Sequence, residues 1–156
     1  MVTDTSAESA VASLLVSGQT IAVVGLSGDP LRPSFRVAAY MREAGCRVIP
    51  VNPKETQVLG ERAYPDLAAV PDAIDLVVIF RRAEACGAIV EAAIQRRVRG
   101  VWLQEGIRNP EAVERAQAAG LISVMDRCWL KEHQRRRLSC REGDRIVEER
   151  NEEIQK

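Results

Sequence analysis

Residues 21–40 read IAVVGLSGDPLRPSFRVAAY, and this stretch decides the fold. An apolar run, Ile21 to Val24, enters a turn at Gly25, and a helix is expected to start at Ser34. Val37, Tyr40, Met41 and Ala44 then fall at i, i+3, i+4 and i+7, the spacing of one buried helical stripe. Ser34 suits the N-cap, where its hydroxyl would accept an otherwise unpaired amide. Strand, glycine loop and helix N-terminus together make a phosphate site, because free N–H groups and the positive end of the helix dipole point at one spot.

The same alternation continues outward from this unit. The first strand is Ile21 to Gly25, and the first helix Ser34 to Ala44, closed by Gly45. The second strand is Arg47 to Val51, halted by Asn52-Pro53. A loop from Lys54 to Ala63, with a turn at Val58-Leu59-Gly60, leads to a short helix near Asp66 to Val70. The third strand is Asp75 to Phe80, apolar throughout its middle as a strand covered on both faces should be. A helix over Ala83 to Arg97 presents Cys86, Ile89, Val90 and Ala93, and a fourth strand covers Gly100 to Leu103. Asn109 as N-cap, Pro110 in the first turn and Gly120 beyond the end delimit the next helix. The fifth strand is Leu121 to Met125. Strands and helices alternating at this spacing imply right-handed crossovers. The expected class is α/β: a Rossmann-like doubly wound domain, a five-stranded parallel sheet in the order 3-2-1-4-5 with helices on both faces.

Three regions are expected. Residues 1–19 form an N-terminal arm in which Ala10, Leu14 and Leu15 line one helical face covering the sheet, with residues 1–6 frayed. Residues 20–137 are the Rossmann-like domain. Residues 138–156 are a charged tail, read as a solvated helix or loose segment.

A chain of 156 residues is one domain of ordinary size, long enough to bury roughly two-thirds of its unfolded surface. Lysine and arginine (22) balance aspartate and glutamate (22), and a polyanion binder normally carries a basic excess, so nucleic acid is not an expected partner. No apolar run is long enough for a bilayer, and the first twenty residues lack a leader pattern. A cytoplasmic protein with no membrane partner is expected. Cys46, Cys86, Cys128 and Cys140 show no metal-ligand spacing, and His133 is the single histidine, so no metal site is expected. Cys46 and Cys86 read as small core residues; Cys128 reads as a buried cysteine, although Arg127 and His133 nearby could lower its pKa.

In sheets of this kind ligands bind beyond the carboxyl ends of the strands, where strand order reverses. The expected order puts Gly25-Leu26-Ser27 opposite Gln104-Glu105-Gly106. Arg32, Lys54, Arg81 and Arg82 gather along that edge and suit a ligand carrying several phosphates. The NAD fingerprint is absent: the turn reads Gly25-Leu26-Ser27-Gly28-Asp29-Pro30, and the second strand ends in Asn52 where an acidic residue would take the ribose.

Val23-Val24-Gly25-Leu26-Ser27, Arg32-Pro33-Ser34, Val48-Ile49-Pro50-Val51-Asn52-Pro53, Leu59-Gly60-Glu61, Tyr64-Pro65, Phe80-Arg81-Arg82, Trp102-Leu103-Gln104-Glu105-Gly106 and Met125-Asp126-Arg127-Cys128 occur in that order. Over Thr20 to His133 this pattern resembles the stand-alone CoA-binding proteins, which are related to the N-terminal CoA-binding domain of the succinyl-CoA synthetase α subunit. The resemblance implies binding of coenzyme A or an acyl-CoA, with the first βα loop and the arginines on the diphosphate. The candidate cofactor-binding residues are Gly25, Leu26, Ser27, Arg32, Pro33, Ser34, Asn52, Pro53, Lys54, Phe80, Arg81, Arg82, Gln104, Glu105 and Gly106. The synthetase subunit also has a second domain carrying a phosphorylated histidine. This sequence shows no such domain, and His133 reads as a surface or C-terminal helix residue.

A non-catalytic carrier or sensor of a small nucleotide ligand is therefore the leading expectation, with no catalytic residues assigned. An NAD(P)-binding redox domain or oxidoreductase is one alternative. A CoA-binding subunit of a larger acyl-CoA-using assembly, or a homo-oligomer, is another.

Overall fold

A computed structural model describes residues 3–137. Strands β1 (Thr20–Val24), β2 (Arg47–Val51), β5 (Leu76–Ile79), β6 (Gly100–Leu103) and β7 (Ile122–Val124) form one parallel sheet in the order β2-β1-β5-β6-β7. Between β2 and β5 the loop holds a small antiparallel hairpin, β3 (Gln57–Val58) and β4 (Glu61–Arg62), with the turn at Leu59-Gly60. Counting the five parallel strands alone, the order is 2-1-3-4-5, which corrects the expected 3-2-1-4-5. After β2 the chain folds back across β1 and lays the third parallel strand on its far side.

Pro50 shows why β2 is an edge. A proline cannot donate to a ladder and belongs on an edge strand. Its carbonyl accepts from Tyr64 N–H (3.0 Å) on the outer side, and Asn52 N–H donates to Tyr64 O (2.8 Å), so the edge is covered by the returning loop.

Side chains alternate between two faces along each strand. Ala22, Val24, Ile49, Val51, Val77, Ile79, Val101 and Leu103 join one core with α3 (Cys86–Gln95) and α4 (Pro110–Ala118). Ile21, Val23, Val48, Leu76, Val78, Trp102 and Val124 join the other, beneath α1 (Thr3–Ser13) and α2 (Pro33–Glu43). The arm does cover this second face: Val11 and Leu14 are fully buried, and the Leu14 side chain reaches to Gly100. Residues 129–137 are helical and pack there too, with Trp129 completely buried and its indole N–H donated to Leu14 O (3.0 Å). The expected charged tail, 138–156, lies outside the described residues.

Most sequence-read elements recur with shifted ends. The expected helix 83–97 is a 3₁₀ turn, Ala83–Ala85, followed by α3, and the short helix near Asp66 is a 3₁₀ turn capped by the Asp66 carboxylate on Ala69 N–H (2.9 Å). Asn109 caps α4 as read, accepting from Ala112 N–H at 3.0 Å. Ser34 does not cap α2. The helix begins one residue earlier at Pro33, with Arg32 in the cap position and no side-chain cap. Proline needs no amide partner at the first helical position, so it starts the helix there. No helix among the described residues is long and apolar enough to cross a membrane.

Candidate functional site

Because β5 rather than β6 lies beside β1, the strand-order reversal falls between Gly25 and Phe80. The ladder runs to the end of both strands: Phe80 N–H donates to Val24 O (2.8 Å), and Gly25 N–H donates to Val51 O (2.8 Å). Gly25 holds φ +88°, in the left-handed region that glycine occupies without strain. Its open side faces the Phe80 carbonyl oxygen and, 3.0 Å from where a Cβ would sit, Arg81 Cδ.

Three adjoining depressions meet at this point. A largely apolar slot of about 360 Å³ lies between the strand ends and α3, lined by Val24, Gly25, Val51, Pro53, Pro65, Asp66, Leu67, Arg81, Ala85, Ala88, Ile89 and Ala92. A polar basin of about 720 Å³ is lined by Lys54, Phe80, Arg81, Arg82, Glu84 and Ala85. A third, of about 320 Å³, lies against the start of α2 and is lined by Gly25, Ser27, Arg32, Pro33, Ser34 and Phe80.

The structure thus draws Gly25, Ser27, Arg32, Pro33, Ser34, Pro53, Lys54, Phe80, Arg81 and Arg82 to one cleft. Among the described residues, the side chains of Arg32, Lys54, Arg81 and Arg82 are exposed and make no ion pair or hydrogen bond. Arg47, Arg108, Arg115 and Arg127 by contrast are paired with carboxylates. Four unpaired cations against the carboxylates of Glu84 and Asp66 leave a net positive field over a cleft that is apolar on one side.

Asn52 and Leu26 brace the cleft from within. Leu26 has no exposed surface and packs into the core on the α2 face. Asn52 is buried, donating Nδ2–H to Leu26 O (3.1 Å) and accepting Lys54 N–H on Oδ1 (3.0 Å).

Gln104, Glu105 and Gly106 do not face the glycine loop, contrary to the placement expected from the 3-2-1-4-5 order. Glu105 and Gly106 turn toward the end of β7, while Gln104 N–H still donates to Ile79 O (3.3 Å). Glu105 pairs with Lys131 (2.9 Å), and Gly106 N–H donates to Asp126 Oδ1 (2.7 Å). This amide and Arg108 hold the Asp126 carboxyl below the usual aspartate range. Gln104 is buried, and its Nε2 has no partner among the described residues.

His133 stacks on Trp129 (centroids 5.1 Å apart, planes 9° apart), and its Nδ1 is hydrogen-bonded to Tyr40 OH at 2.7 Å. Burial, and then Arg137, push its pKa below the ordinary value. It lines no part of the cleft. Cys128 packs against the apolar cluster on the α2 face, equally outside the cleft.

The loop amides hold the main surprise. Ser27 N–H donates to Ser34 Oγ (3.1 Å), Gly28 N–H to Glu55 Oε1 (3.0 Å), Asp29 N–H to Ser27 Oγ (3.1 Å) and Leu31 N–H to Asp29 Oδ1 (2.9 Å). The loop is closed on its own oxygens, those of the helix it enters, and one from Glu55. Ser34 serves it from inside the helix instead of capping the helix.

Sequence reasoning missed the slot wall on α3. Ala85, Ala88, Ile89 and Ala92 stand at i, i+3, i+4 and i+7, a second apolar stripe beside the core stripe of Cys86, Val90 and Ala93. Two apolar stripes on one short helix were the available signal.

Fold and cleft together define a doubly wound α/β domain with an open cleft at its switch point. The chain belongs to the CoA binding domain family, which matches residues 19–134. It is 36% identical over 115 residues to the uncharacterized protein YneT of Bacillus subtilis, covering 74% of this chain and 85% of that one. It is 29% identical over 119 residues to the acetate–CoA ligase (ADP-forming) II subunit alpha of Pyrococcus furiosus, covering 69% of this chain but 26% of that subunit. A solved structure, a hypothetical protein from Pyrococcus horikoshii OT3, is similar with a TM-score of 0.78 and 38% identity, covering 82% of this chain and 90% of that one. The family expected from the motifs is the one found.

Proposed function

We propose that this protein binds coenzyme A or an acyl-CoA in the Gly25–Phe80 cleft, as a non-catalytic carrier or sensor. The observation that carries the reading is the side-by-side placement of an apolar slot and a basin where Lys54, Arg81 and Arg82 outnumber the one lining carboxylate, Glu84. Coenzyme A has the matching division: a diphosphate and a ribose phosphate, flanked by a flat base and a long weakly polar arm. Guanidinium forks and the Lys54 ammonium suit the phosphates, and the slot suits an uncharged part of the ligand. Family membership supports the same ligand.

NAD(H) is a poorer fit. Asn52 stands where an acidic residue would accept the ribose hydroxyls, and both ends of its amide are engaged within the protein. A second reading, service as the CoA-binding part of a larger acyl-CoA-using assembly, draws on the similarity to the P. furiosus ligase subunit. Co-purification of a partner with the full-length chain would favour it.

Calorimetric titration with coenzyme A and with dephospho-CoA tests the main reading. Saturable heat with coenzyme A, weaker with the dephospho form, is expected. No heat with either at millimolar concentration would defeat it.

A further inference from the structure

Of the loop contacts, the one at Gly28 differs in kind. The Ser27, Ser34 and Asp29 oxygens belong to the loop or the helix it enters, and the two serine hydroxyls can turn and donate to an incoming anion. Glu55 comes from 27 residues away, in the turn after β2, and brings a full negative charge to an amide of the anion loop. A carboxylate that accepts an amide there does what a phosphate oxygen would do.

The second observation is the glycine itself. Gly28 does not adopt the left-handed backbone that makes glycine necessary at Gly25. The missing side chain is instead where Glu55 comes close: a Cβ at Gly28 would stand 3.0 Å from Oε2 and 3.4 Å from the carboxyl carbon. Both carboxylate oxygens are therefore seated against the loop. Lys54, next in sequence, lines the polar basin of the cleft. One turn thus carries a cation that attracts an anionic ligand and an anion that occupies the loop it would use.

We propose that the Glu55 carboxylate is an internal competitor for the anion loop, seated on Gly28 N–H until a ligand phosphate displaces it. Two anions cannot share that amide without strong repulsion, so binding includes the release of Glu55, and the affinity of the cleft is set partly by how firmly Glu55 is seated. Ligands with many other contacts overcome this competition, whereas small anions with few contacts are held off. The proposal rests on the CoA reading for its natural ligand, though the displacement itself requires only a phosphate.

The test is calorimetric titration of the full chain and of Glu55→Gln and Glu55→Ala, with coenzyme A and with inorganic pyrophosphate as a stripped-down probe. Glu55→Gln keeps the shape and an acceptor while removing the charge; Glu55→Ala removes both. If the loop is closed roughly nine-tenths of the time, either variant tightens both probes by about tenfold. Coenzyme A bound by all three proteins with dissociation constants within about twofold, or more weakly by both variants, overturns the proposal. Pyrophosphate binding that tightens in the variants while coenzyme A gives no heat upholds the Glu55 role and defeats the CoA reading. Silence from both probes in all three proteins defeats both.

Discussion

The α-carbon of Gly25 and the carbonyl oxygen of Phe80 face each other with no room for a side chain between them. They end β1 and β5, and every depression of the cleft contains one or both of them. Closure at this point lets the glycine loop of one strand end and the cations of the other border the same volume.

Gly25→Ala combines a left-handed backbone with a collision against main chain, which cannot swing aside as a flexible side chain does. The expected cost is about 3–4 kcal/mol of folding stability, read as a lower urea midpoint. A midpoint equal to that of the parent would show that the strand ends separate freely.

Lys54→Ala and Arg81→Ala are each expected to weaken coenzyme A binding by about two- to fivefold, the modest figure for solvent-exposed charges. Both losses should shrink with added salt. If Lys54 meets the ribose phosphate, Lys54→Ala will leave dephospho-CoA affinity unchanged. Equal losses for the two ligands would move that phosphate elsewhere.

How much of this was legible beforehand differs from residue to residue. The Gly25 loop, Asn109 with Pro110, and the alternation of apolar strands could be read because local chemistry dictates them. Strand order differs from the expected one, and Pro50 is the clue to it: a proline whose amide has no hydrogen belongs at a sheet edge, and the 3-2-1-4-5 order would place it inside. That difference gives Gln104, Glu105 and Gly106 another neighbour. Glu55 on Gly28 was out of reach, because a contact across 27 residues depends on where two loops meet and leaves no periodic trace.

Arg96 joins the slot to the sheet's outer loop by donating to Leu67 O (2.6 Å), Val70 O (2.7 Å) and Asp72 O (2.8 Å). Removing the guanidinium strips three carbonyls of a charged donor. Arg96→Ala should cost about 2–3 kcal/mol and loosen the slot at Leu67, with Arg96→Lys between variant and parent in urea unfolding. An unchanged midpoint would mean that water replaces all three bonds without loss.

The pH dependence of stability follows from His133. Its folded pKa lies below the ordinary 6.5, by burial first and Arg137 second. Between the two values the unfolded chain binds more protons, so stability falls as pH drops through 6.5 and levels off once the folded form is also protonated. Glu8, held down chiefly by its hydrogen bond from Arg127, and Asp126, held down chiefly by Gly106 N–H, act lower. Their contributions are present above ordinary values of 4.5 and 3.8 and are lost as pH falls through their folded values. Urea midpoints at pH 7.5 and 5.5 should therefore differ in the parent and converge in His133→Phe, which retains a ring to stack on Trp129. An equal difference in both would assign the slope to another group.

The walls of the cleft are drawn from residues between Val24 and Ala92, and neither β6, β7 nor the 129–137 helix supplies any. A bound ligand therefore clamps one side of the sheet and leaves the other to its intrinsic opening. Deuterium uptake should slow most at the amides of β1 and the ends of β2 and β5. Openings confined to the β7 edge should proceed at their former rate, because no ligand contact is broken when that edge parts.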